Sequence, residues 1–151
     1  MALADIQQLL QDFVPEMVDE LKPEARNRAI EEARLRYSAD LPRQLVEDVT
    51  WPATSVFGPA PVGWTDDARL VDVDLPGRVM SGQSTFFAVV RTLDGWMLES
   101  VDAIGAGSVV RVTYTLPHEL DAGADSIPAA HRLAVSYYAA YLLCQQLATR
   151  F

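Results

Sequence analysis

An α+β fold, with a helical layer of two N-terminal helices and one long C-terminal helix packed with a small antiparallel β-sheet, is predicted by three features of this sequence. Apolar residues recur at helical spacing over the first forty or so positions. Short β-branched runs, separated by Asp94-Gly95 and Gly105-Ala106-Gly107, fill residues 69–115. An apolar stretch without a helix breaker then follows Ile127-Pro128. At 151 residues the chain fits one domain, 1–151, and a domain of that size buries roughly two thirds of the surface its unfolded chain exposes.

Ile6, Leu9, Leu10, Phe13 and Val14 predict a short amphipathic helix over residues 4–14, redirected at Pro15. Met17, Val18 and Leu21 would continue it for a turn. Pro23 suits the first position of a second helix, with Glu24 in its first turn and Ala25, Ala29, Ile30, Ala33 and Tyr37 on one face. That helix should end near Ser38, before Pro42. Residues 43–50 read as a strand or an irregular extended segment, and residues 52–67, rich in proline and glycine, as a loop. Strands are expected at 69–75, 86–92, 95–101 and 108–115, and a four-stranded antiparallel meander is the simplest way to join them. The last helix should run from Pro128 to about Thr149. Leu133, Val135, Tyr137, Tyr138, Tyr141, Leu142, Leu143, Cys144 and Leu147 cover nearly its whole circumference, so it needs cover on most sides. Burial in the monomer core and contact with another subunit both supply that cover.

Charge and composition narrow the function. A net charge of −9 opposes sequence-independent binding to nucleic acid, which rests on Lys and Arg neutralising phosphates. Trp51, Trp64 and Trp96 lack the interleaved basic residues of a base-stacking platform, so packing is the better reading. No apolar run reaches membrane-spanning length, and the N-terminus lacks the pattern of a secretory signal. The lone Cys144 is expected to be a buried helix residue with no means of lowering its thiol pKa.

Catalytic groupings are likewise thin. His118 follows a strand end near Glu119 and Asp121, and His131 opens the last helix, where the helix dipole disfavours an imidazolium; each is expected to be structural or at the surface. Asp72 and Asp74 alternate along one strand face and read as solvated. Neither metal-ligand spacing nor a nucleophile elbow occurs. The chain is expected to be no enzyme and to carry no cofactor or metal.

Several segments, in order, resemble the head-tail connector, or adaptor, proteins of tailed bacteriophages. These are Ala29-Ile30 through Tyr37-Ser38-Ala39-Asp40-Leu41-Pro42-Arg43, then Val46-Glu47-Asp48, then Leu70-Val71-Asp72-Val73-Asp74-Leu75-Pro76. Val110-Arg111-Val112-Thr113-Tyr114-Thr115-Leu116-Pro117-His118 follows, and Ile127-Pro128 with the Ala-rich helix ending Leu142-Leu143-Cys144-Gln145-Gln146-Leu147-Ala148 closes the series. The resemblance implies a structural virion protein of the neck, assembled in the host cytoplasm into a ring of typically twelve subunits. Its partners would be the portal protein and a head-closure (stopper) or tail-terminator protein, and DNA would pass through the ring without specific binding. An acidic wall suits that passage. Two alternatives stand beside this one: a head-closure or tail-terminator protein on the tail side, and a small ligand-binding domain or enzyme using the sheet and the His118 loop. Candidate residues for subunit or partner contact are Tyr37, Pro42, Arg43, Tyr114, Tyr137, Tyr138, Tyr141 and Phe151.

Overall fold

The computed structural model describes residues 2–13, 23–75 and 87–149. They form a mixed α+β protein with three α-helices and two three-stranded sheets. Two compact units result, one from Met1–Arg43 with Pro117–Phe151 and the other from Gln44–Leu116.

The first unit is helical. Helix α1 (Ala2–Phe13) and helix α2 (Pro23–Asp40) both pack on helix α3 (Arg132–Ala148), which a single 3-10 turn, Ala129–His131, leads into. Helix α2 starts at Pro23, whose missing N–H would be unpaired in a first turn in any case, and it ends two residues beyond the expected Ser38. The expected continuation through Met17, Val18 and Leu21 lies outside the described residues. The core joins Ile6 and Leu10 of α1, Ala29, Ile30 and Ala33 of α2, and Val135, Ala139, Leu143 and Leu147 of α3. Alanines at the α2–α3 contact let the two backbones approach closely. Arg132 at the start of α3 carries the charge a helix N-terminus disfavours, and two carboxylates offset it: Asp5 at 3.3 Å and Asp125 at 2.6 Å.

The second unit holds the strands β1 (Arg43–Thr50), β2 (Ser55–Pro59), β3 (Arg69–Asp74), β4 (Phe87–Thr92), β5 (Gly95–Ile104) and β6 (Val109–Leu116). The expected single meander is replaced by two sheets, ordered β1-β6-β3 and β2-β5-β4. Backbone hydrogen bonds at position 51 mark the division. The Trp51 N–H donates to Ser108 O at 2.8 Å, and its carbonyl accepts Gly107 N–H at 2.7 Å. The turn after β5 is thereby held at the end of β1, and Gly107, at φ +81°, supplies the left-handed conformation that the change of direction requires. Consequently β6 pairs away from β5. The loop expected over 52–67 also contains a strand, β2. It sits at a sheet edge, where Pro59 need not donate a ladder hydrogen bond. The hairpin at Asp94-Gly95 forms as expected, with Thr92 opposite Gly95 and Gly95 at φ +107°.

Both sheets of this unit fill one core: Val49, Val73, Val110, Val112 and Tyr114 from one, Phe87, Leu98 and Ile104 from the other, and Trp51 beside them. On the outer face of the first sheet, Arg111 of β6 binds Asp48 of β1 through two hydrogen bonds, at 2.8 and 3.0 Å. The hydrogen bonds and charge of Arg111 hold the Asp48 carboxyl below its usual range. A carboxyl whose pKa falls on folding contributes stability that is present above the unfolded value, about 4, and is lost as pH drops through the lower folded value. Asp48→Asn is therefore expected to reduce stability at neutral pH and to flatten its fall in acid. Thermal unfolding followed from neutral to acid pH checks this; an unchanged acid slope would contradict it.

Candidate interaction surface

Within the first unit, the segments after Tyr37 and after Leu116 are tied into one knot at His118. This side chain is buried, and Nε2–H donates to the Leu41 carbonyl at 2.9 Å. Nδ1 lies 3.0 Å from both the Ser126 carbonyl and Ser126 Oγ, and Oγ also accepts the Glu119 N–H at 2.8 Å. The His118 N–H donates to Ser38 Oγ at 2.8 Å, and Ser38 donates in turn to Arg34 O at 2.7 Å. Arg34 reaches across to the His118 carbonyl, and Arg43 pairs with Glu119 at 3.1 Å. The loop beyond is closed by Asp121, whose carboxylate accepts the N–H groups of Gly123 and Ala124 and is held below its ordinary pKa by them. Ser38, Leu41 and His118, distant in the sequence, are therefore neighbours in space. His118 fixes the exit of α2.

That fixed exit shapes a cleft of about 480 Å³ between the end of α2 and the start of α3. Ala33 and Ala134 leave the space, while Tyr37, Val135 and Tyr138 supply apolar walls. Tyr37 OH and His131 Nδ1 meet at 2.6 Å on one side, and burial pushes the Tyr37 phenol above its ordinary pKa. Arg36 and Asp40 form an ion pair at the edge, 3.2 Å apart, beside exposed Leu41. The volume lies within the roughly 300–1,000 Å³ typical of binding clefts.

A second feature lies on α3. The helix carries no charged residue between Arg132 and Arg150, yet Leu133, Tyr137 and Tyr141 remain 46%, 56% and 53% exposed. They stand at i, i+4 and i+8, one stripe along the helix. Cys144 lies on the same stripe and is exposed, which corrects the expectation of a buried thiol; an apolar circumference does not reveal which side the core takes. Phe13 stacks on Tyr137 with ring centroids 4.6 Å apart and fixes that ring's direction.

The contact candidates thus separate. Tyr137 and Tyr141 lie on the exposed stripe, Tyr37 and Tyr138 line the cleft, and Pro42 is exposed just after α2. Arg43 is partly buried in its pair with Glu119. Tyr114 is fully buried in the second unit, where its hydroxyl donates to Glu47, and so it presents no face to a partner. Phe151 lies outside the described residues. The sequence alone does not mark Arg36, Asp40, His131 and Ala134 as contact candidates, because their adjacency depends on how α2 meets α3.

Asp72 and Asp74 are exposed on β3, as their alternation suggests. Among the described residues no group of three or more His, Cys, Asp or Glu could hold a metal ion, and no helix is long and apolar enough to cross a membrane. Neither a protein-family model nor a curated protein matches the chain.

Proposed function

We propose that this chain is a structural subunit of the neck of a tailed-bacteriophage particle, an adaptor that assembles into a ring joining the portal to the head-closure or tail components. Its work is mechanical: it extends the DNA channel and converts the portal's outer surface into a docking surface for the next protein. The observation that carries this reading is the apolar stripe of α3, uncharged and half open in a chain of net charge −9. Exposed apolar rings set in a line on a rigid helix are the chemistry of an assembly surface. The ordered sequence resemblance supports the same reading and names the partner, the portal. Abundant surface carboxylate suits a wall past which DNA slides, since like charge opposes adhesion to phosphates. A head-closure or tail-terminator role on the tail side would use the same helix against a different neighbour.

A ligand-binding domain is the second reading, and the α2–α3 cleft with its Tyr37–His131 pair is the observation that favours it. Electron microscopy of the purified chain mixed with the portal protein encoded beside it separates the two. An added ring on the portal's outer face is expected, and bare portals would contradict the adaptor reading.

A further inference from the structure

One long sheet edge of the second unit is open. Strand β1 is the outer strand of its sheet, and Trp51, just past its end, gives both its backbone N–H and its carbonyl to Gly107 and Ser108, which lead into β6. Successive residues of a strand turn these groups to opposite edges, so Gln44, Val46, Asp48 and Thr50 present theirs to the outer side. Among the described residues no backbone hydrogen bond outside the sheets takes them up. Open edges are templates for pairing, and the edges at β2 and β3 are blunted against it. β2 is short, ends in Pro59 and is irregular between Ser55 and Phe57; β3 is irregular between Leu70 and Asp72. β1 has eight residues with no proline or glycine, its exposure alternates along its length, and Val46 at its middle is 55% exposed. We propose that two copies of this chain pair edge to edge through β1, antiparallel, as a closed dimer of the free protein. The contact uses the same patch on both copies, so it closes as a pair and is independent of any ring.

The order of residues in β1 selects its own copy as the occupant. Residues on the core side of the strand must meet residues that do the same, because a slip of one residue turns the apolar set outward. The two-fold axis therefore passes beside one residue. With the axis at Glu47 or Asp48, a carboxylate meets its own copy, and like charges directly opposite destabilise a sheet. With the axis at Val46, the two valines meet, Gln44 stands opposite Asp48, Leu45 opposite Glu47, and Arg43 diagonal to Glu47. An axis at Leu45 also separates the carboxylates but shortens the ladder. Antiparallel pairing thus sets the acidic end of each strand against the neutral or basic end of the other, whereas parallel pairing in register stacks like on like. The strand complements itself, which an arbitrary peptide does not. Net charge −9 on each copy opposes their approach, so the dimer should tighten as salt screens that repulsion.

Sedimentation velocity of the full chain over a concentration series, at low and at moderate salt, tests the proposal. A dimer that grows with concentration and with salt is expected. Val46→Pro removes the central donor from the open edge, where proline is tolerated, and should give a monomer. Val46→Glu keeps the N–H but sets two carboxylates against each other; it should also give a monomer, and it reads the same contact if proline disturbs the fold. Tyr141→Glu, on the α3 face, should leave the dimer intact. In a Cys144→Ser background, Val46→Cys should form an intermolecular disulfide under mild oxidation, and Thr50→Cys should not. A monomer at every concentration and salt would overturn the proposal. So would a dimer that survives Val46→Glu, or one that Tyr141→Glu abolishes.

Discussion

Replacing Trp51 by alanine is expected to cost about 3–5 kcal/mol, the range for emptying a large buried aromatic site. Against a total stability of about 5–15 kcal/mol for a folded domain, that is enough to leave the second unit barely folded. Trp51 is fully buried, its indole N–H donates to Ser55 O at 2.9 Å, and its ring lies over Gly58 so closely that a Cβ there would stand 2.3 Å from it. Truncation removes the packing and the indole hydrogen bond to Ser55. Urea unfolding, followed through the two remaining tryptophans, measures the effect. A loss under about 1 kcal/mol would contradict the packing role given to Trp51.

His118→Ala should be the costliest change in the helical unit. It leaves the Leu41 carbonyl without its donor and removes the ring's hydrogen bond to Ser126, at about 0.5–1.5 kcal/mol for each part-buried hydrogen bond lost. A loss of about 1–3 kcal/mol is expected on that basis, together with a loosened exit from α2 and cleft wall at Leu41. His131→Ala removes one exposed hydrogen bond to Tyr37 and should cost about 1 kcal/mol or less. Equal effects at the two histidines in chemical unfolding would contradict the structural role given to His118.

Local chemistry makes much of this fold readable from the sequence. Pro23 marks the start of α2, Asp94-Gly95 marks the hairpin, and the breaker-free stretch after Pro128 marks α3. Segment β2 is hidden because Pro52, Gly58, Pro59 and Pro61 read as loop residues, although glycine there is what Trp51 needs for its close approach and proline is tolerated at an edge. Tyr114 could be placed inward from its period of two with Val110 and Val112, both buried. The direction of Cys144 could not, since apolar residues surround α3 and only tertiary packing chooses its buried side. Likewise the cleft belongs to no single segment: Ala33 and Ala134 are ordinary alanines until two helices bring them together.

Assembly through the exposed face of α3 is open to a decisive measurement, a cryo-EM reconstruction of the portal mixed with the purified chain. A ring of subunits on the portal's outer face is expected, with Tyr137 and Tyr141 covered by a neighbouring protein chain. A bare portal, or a ring that leaves both tyrosines open to solvent, would refute assembly through this face.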